Sequence, residues 1–272
     1  MTVIRFPVLH VVPLDQCLLH EETDSARVAR LAARLASDGV LRNPPILGRH
    51  DGLEQLIVLD GATRTTALRA MGMPHVVAQV VDYDDESIQI HTWSHLISGL
   101  TLDDLRARLA DEPALAERSC TPYEAENALA HRETLAYLAG GDGRCFALGR
   151  SANIVTRAAA LRRLFAAYAG RTAIARIPPS DWPARLDEQR AGVVVVYPNY
   201  TKRDIVALSQ AGAMLPAGIT RHVIPGRALR INAPLDGATL EQKQAWLTGW
   251  LREREVGHGV RFYAEPTFLF DE

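Results

Sequence analysis

Apolar residues recur along this chain with two periods, and each change of period marks an element. MTVIRFPVLHVVPLD is apolar but interrupted by Arg5, Pro7, His10 and Pro13, which predicts an entering strand instead of a signal peptide. Asp24 then caps a helix over SARVARLAARLASDG. Val28, Leu31, Ala32 and Leu35 share one of its faces, and Gly39 supplies the stop. Pro44 and Pro45 end the next turn, Ile46 and Leu47 open a short strand, and Asp51-Gly52 turns the chain into EQLIVLD. That unbroken apolar run is the kind buried on both faces. In LDGATRTTALRAMG a helix follows directly, with Ala67, Leu68 and Met71 inward and Gly72 as its stop, and PHVVAQVVDY reads as a further strand. The first third is therefore predicted to be α/β.

From Asp84 to about Arg190 the alanine-rich pattern predicts mainly helix, broken by GGDGR at Gly140 to Arg144. GVVVVYPNY opens a β-rich segment, Thr201 caps a helix, and a last helix is expected around Gln242 to Arg252. No internal repeat is visible. GGDGR and the PPSDWP stretch near Pro178 are candidate borders. The division predicted is an α/β domain over residues 1–100, a mainly helical segment over 101–190, and an α/β segment over 191–272.

With 272 residues the chain can bury a sizeable core. A formal net charge of −2 offers no global attraction to nucleic acid or to an anionic membrane. No uncharged apolar run approaches the ~20 residues that span a bilayer. Cys17, Cys120 and Cys145 are odd in number, far apart in sequence and without zinc spacing, so they read as reduced thiols of a cytoplasmic protein.

The chemistry begins at Asp60-Gly61. A strand that stops there and passes straight into a helix gathers unpaired N–H groups at the positive end of the helix dipole, which makes an anion site. Gly61 lets a ligand approach the backbone, Thr63, Arg64 and Thr65 add donors, and Asp60 could hold a divalent cation bridging to the anion. Asp60 and Thr63 could equally be plain helix caps, so spacing alone leaves both readings open.

The residues of LDGATRTTALRAMG, with LLHEETDSARVARLAARLASDGVLRNPPIL before them, resemble the strand-turn-helix of the ParB/sulfiredoxin-like fold over the first third of the chain. The resemblance implies an α/β (α+β) protein whose helical and β-containing C-terminal part closes a cleft. Sulfiredoxins need a cysteine in the turn, where Ala62 and Thr63 stand. ParB proteins continue into a helix-turn-helix that the text after residue 100 does not resemble. Free L-serine kinases are similar at both ends. His20-Glu21 matches their histidine-glutamate pair, LPAGITRHVIPGRALRINAPL resembles their C-terminal segment, and Trp93 in IHTWSH falls where they place an aromatic beside the amino acid.

That resemblance implies phosphoryl transfer from ADP or ATP to free L-serine, giving O-phospho-L-serine for the synthesis of cysteine or another serine-derived amino acid. Glu21 would be the base, Asp60 the Mg²⁺ ligand or second acid, and Gly61, Ala62, Thr63, Arg64 and Thr65 the nucleotide cradle. Thr220, Arg221 and His222 would grip phosphate. The chemistry of the residues agrees, because a serine hydroxyl needs a carboxylate to take its proton, and the transfer otherwise needs positioning and charge neutralisation. Taken without the resemblance, Glu21 and Glu22 are also ordinary acids before a helix.

Other features have plainer readings. His91 and His95, four apart on an expected helix, are a possible metal pair without a third ligand. The arginines at 150, 157, 162, 163 and 171 read as the solvated face of an amphipathic helix. They are also the feature that would support the alternative, a ParB-like nucleotide-switched DNA-binding regulator or partition factor. A catalytically silent binder of a small amino-acid metabolite is the third reading.

Overall fold

A computed structural model describes residues 6–150, 153–188, 192–256 and 259–262. Met1 to Arg5 of the expected entering strand, and the border expected at residues 190–191, lie outside them. In chain order the elements are β1 (Leu9–Pro13), β2 (Cys17–Leu18), α1 (Ser25–Asp38), β3 (Val40–Leu41), β4 (Ile46–Arg49), β5 (Leu56–Asp60), α2 (Ala62–Ala70) and β6 (His75–Asp82). Next come β7 (Gln89–Thr92), β8 (Ser94–Ser98), α3 (Leu102–Leu109), β9 (Glu117–Cys120), α4 (Pro122–Ala130), β10 (Ala136–Gly140), β11 (Cys145–Leu148) and α5 (Ile154–Ala166). The chain continues through β12 (Ala173–Ile177), α6 (Trp182–Glu188), β13 (Gly192–Val196), α7 (Lys202–Gln210), β14 (Thr220–Val223), β15 (Ala233–Pro234) and α8 (Leu240–Val256).

The first sheet has the order β1-β6-β4-β5-β2 and mixes parallel with antiparallel pairs. Its helices end where their caps dictate. Asp24 accepts from Arg27 N at the start of α1, and Gly39 closes that helix with a φ of 67°. At α7 the Thr201 hydroxyl and the Asp204 side chain form a reciprocal capping box. β5 is buried on both faces as its sequence predicts. Leu56 and Val58 join the core beneath α1, α2 and α8, while Ile57 and Leu59 join a second core shared with the other sheet.

That other sheet, ordered β12-β8-β13-β10-β11-β9, is antiparallel throughout. It corrects the expectation of a mainly helical stretch from Asp84 to Arg190, which contributes six strands as well as four helices among the described residues. Runs such as AYLAG and CFAL are buried on both faces, so they show no alternation, and their alanines mimic helix. GGDGR is the turn joining β10 to β11, and PPSDWP leads into α6 between two strands of this same sheet. The sheet draws strands from both sides of residue 100. Cys120 and Cys145, distant in sequence, face each other across β9 and β11 as free thiols with their sulfurs 3.9 Å apart. No helix among the described residues is long and apolar enough to cross a membrane.

Candidate active site

Sequence-predicted site residues converge where β5 ends. β2 runs parallel to β5, pairing Cys17 with Leu56 and Leu18 with Ile57, so the chain leaving β2 passes beside the last residues of β5. Leu215 N donates to the His20 carbonyl at 2.8 Å, and Glu22 N donates to the Leu215 carbonyl at 2.9 Å. These bonds fix the backbone on both sides of Glu21. Its carboxylate accepts from Gly218 N at 2.9 Å, from Thr220 N at 2.6 Å and from the Thr220 hydroxyl at 2.5 Å. Burial raises the Glu21 pKa above the usual carboxylate value, against the opposing pull of Thr220, Gly218 and the charge of Arg176.

The Thr220 hydroxyl also lies 3.0 Å from His20 Nε2. Its single proton goes to an ionised Glu21, so the imidazole must be the donor in that second bond. His20 packs edge-on against His222 with ring centroids 5.3 Å apart, and His222 Nε2 is 2.9 Å from the Tyr83 hydroxyl. Burial keeps both rings neutral, lowering His20 to about 4 and His222 to about 3.

Asp60 is the last residue of β5, and Gly61 turns the chain into α2 with a φ of 89°. A Cβ at Gly61 would meet Pro45 Cβ at 3.0 Å, so both backbone and space call for glycine here. Thr65 N is the first amide to close the helix, onto the Gly61 carbonyl at 2.9 Å, which leaves the amides of Ala62, Thr63 and Arg64 at the helix mouth without intrahelical partners.

Two expected cradle side chains turn elsewhere. Arg64 donates to Asp60 at 2.7 Å and to the carbonyls of Asn43 and Pro44 at 2.8 Å each, because a guanidinium four residues after an aspartate reaches that carboxylate first. Thr65 is fully buried, and its hydroxyl bonds back to the Gly61 carbonyl at 3.1 Å.

β14 pairs with β7, Thr220 opposite Thr92 and Arg221 opposite His91, and Trp93 N donates to the Ile219 carbonyl at 2.8 Å. Strand alternation sends Thr220 and His222 toward His20, and Arg221 to the other face. There its guanidinium lies 5.0 Å from the centre of the Trp93 ring. The triplet expected to form one phosphate grip is thus divided between two faces.

No protein-family model matches the chain. The ATP-dependent L-serine kinase SbnI of Staphylococcus aureus is 26% identical over 271 residues, covering 97% of this chain and 97% of its own length. An ATP-dependent L-serine kinase of Staphylothermus marinus is 26% identical over 240 residues, covering 85% of this chain and 92% of its own. Among solved structures, a free serine kinase in complex with AMP superposes with a TM-score of 0.74 at 18% identity, covering 85% of this chain and 94% of that one. The chain is similar to these L-serine kinases over most of its length and shares the fold of the free serine kinase.

The surroundings of Asp60 include a residue that pattern reasoning missed. Arg227 donates to the same Asp60 oxygen as Arg64. Its loop is fastened by Gln79, a buried side chain on β6 that donates to the Gly226 carbonyl at 3.1 Å and accepts from Ala228 N at 2.8 Å. A lone glutamine in the apolar run PHVVAQVVDY was the available signal, because a buried amide must find partners.

Two other expectations are corrected by the structure. His91 and His95 lie on the separate strands β7 and β8, not on a helix. His95 is buried with its Nδ1 2.8 Å from the Tyr168 hydroxyl, and no group of three or more His, Cys, Asp or Glu residues among the described ones could hold a metal. Nor do the arginines of α5 form one solvated stripe. Arg157 is buried, while Arg162 and Arg163 pair with Glu22 and Glu112 at 3.4 Å each.

Proposed function

We propose that this chain transfers a phosphoryl group from ATP or ADP to the hydroxyl of free L-serine, giving O-phospho-L-serine. The observation that carries the reading is the Glu21 carboxylate, half-buried and raised in pKa, held by two amides and a hydroxyl close to the end of β5. Glu21 takes the serine proton as the hydroxyl oxygen attacks phosphorus and the bridging oxygen leaves with the nucleotide. The acceptor hydroxyl replaces that of Thr220 on the carboxylate.

The amides of Ala62, Thr63 and Arg64 receive the donor's phosphates at the positive end of α2. Arg221 lies beside Trp93 on the face of β14 turned away from Glu21, where the product's phosphate would have to reach it, and the neutral pair His20 and His222 fixes Thr220. Mg²⁺ carried by nucleotide phosphates needs one or two protein carboxylates. Asp60, one of whose oxygens already takes Arg64 and Arg227, would meet that need with the other, and the ion would supply charge neutralisation of the phosphates. Both relatives are ATP-dependent L-serine kinases, so ATP is the expected donor.

The test is ³¹P NMR of the protein with Mg²⁺ and L-serine, with ATP in one sample and ADP in the other. A phosphomonoester resonance matching O-phosphoserine is the expected result and names the donor. Silence in both samples from protein that still binds nucleotide overturns the proposal.

A further inference from the structure

Arg157 is a buried cation without an anion. It is 4% exposed and lies on the inner face of α5 with Ala158, Leu161 and Leu164. Its Nε and Nη2 are buried and hydrogen-bonded to nothing. A guanidinium in that state is among the costlier arrangements a fold can keep, so its retention calls for a negatively charged partner from outside the chain.

The surroundings narrow the choice. The Tyr200 hydroxyl is likewise buried with no hydrogen-bond partner, and it lies within electrostatic reach of both Arg157 and Glu21. The helix that carries Arg157 is tied to the segment that carries Glu21 by the Arg162–Glu22 ion pair at 3.4 Å. An unsatisfied cation and an unsatisfied hydroxyl are therefore buried in and beside the core under α5, with Glu21 in electrostatic reach of that hydroxyl. On the kinase reading, the small anion that belongs beside a serine hydroxyl is the carboxylate of the same molecule.

We infer that Arg157, together with the Tyr200 hydroxyl, receives the α-carboxylate of the amino-acid acceptor while Glu21 engages its hydroxyl. The inference rests on the kinase reading and adds to it the side chains that tell a free hydroxy amino acid from the same alcohol inside a peptide or without its carboxylate. The guanidinium fork suits a carboxylate in a bidentate arrangement. Leaving that fork unfilled is what penalises the wrong acceptor.

The experiment compares L-serine with L-serinamide as acceptors in the wild type, Arg157→Met and Arg157→Lys. The wild type is expected to favour L-serine by roughly 100-fold or more in kcat/KM. Arg157→Met should erase that preference by raising the KM for L-serine, with nucleotide affinity near the wild-type value, and Arg157→Lys should restore part of it. Without ligand, Arg157→Met should melt no lower than the wild type, since removing an unpaired buried charge does not destabilise. L-Serine should raise the melting temperature of the wild type alone.

A folded Arg157→Met or Arg157→Lys protein that keeps the wild-type preference overturns the inference, as does an equal loss for both acceptors. If the wild type transfers no phosphoryl group, the kinase reading falls and calorimetric titration decides this one separately. Binding of L-serine that requires Arg157 supports it, and absent or Arg157-independent binding overturns it.

Discussion

The Thr220 hydroxyl lies 2.5 Å from a Glu21 carboxylate oxygen and 3.0 Å from His20 Nε2, so one short side chain ties a half-buried carboxylate to a buried imidazole. If Glu21 is the base, Glu21→Gln should lower kcat by about 100-fold or more with nucleotide affinity nearly unchanged. Equal losses in both, from steady-state rates and a nucleotide titration, would assign Glu21 to binding instead. The same pair sets the pH response. Burial raises the Glu21 pKa and the Thr220 hydrogen bonds lower it, so Thr220→Val should move the acidic limb of the rate profile to higher pH.

Arg64 and Arg227 share one Asp60 oxygen but differ in what else they hold. Arg64 also carries the Asn43 and Pro44 carbonyls and is 22% exposed, whereas Arg227 is 43% exposed. Arg64→Ala should therefore cost about 2 kcal/mol in urea denaturation. Arg227→Ala should leave stability nearly unchanged and weaken nucleotide binding. A stable Arg64→Ala protein would remove the clamp role from that side chain.

Gly218, whose amide orients Glu21, has a φ of 71°, and a Cβ there would stand 2.0 Å from Arg176 Nη2. Gly218→Ala must strain the turn and displace Arg176 together. The expected cost is about 1–3 kcal/mol, with a fall in kcat from the misplaced carboxylate. Melting temperature and turnover should drop together, and wild-type turnover in the variant would show that the carboxylate keeps its place without this amide.

Four buried histidines, His20, His75, His95 and His222, make the fold sensitive to acid, three of them strongly. Burial lowers His20 and His95 to about 4 and His222 to about 3, from an ordinary value of 6.5. The unfolded chain binds protons below about pH 6.5 that the native state refuses until these lower values, so stability falls as pH drops through that window. Each of those three rings contributes on the order of 3 kcal/mol at full extent. Glu21 acts in the opposite sense, because its raised pKa penalises the native state as pH rises. Urea midpoints should decline from pH 7 to pH 5, and a flat series would contradict the neutral assignment.

The sequence announced elements wherever a cap or a periodic face was present. Asp24 with Gly39 and Thr201 with Asp204 bound their helices as expected. It was silent on β10 and β11, where two buried faces leave no alternation to read. Glu21, Asp60, Trp93 and Thr220 were legible through resemblance and stand along the path from β5 to the β7–β14 pair. Arg221 and His222 were named as one group, and only the pairing of β14 with β7 reveals that a strand must divide them. Arg157 was misread because its helix looks amphipathic on paper. What distinguishes it is the partner it lacks, and a missing contact leaves no trace in a string of letters.

β5 also bears on movement. Because its successive side chains are embedded in two different cores, the strand cannot slide or tilt without loosening both. Asp60 and the start of α2 are therefore a stationary anvil. Any movement around it must come from the pieces that lean on it: the 215–222 segment, which pairs with β7, and the Arg227 loop, moored to the sheet by one glutamine amide.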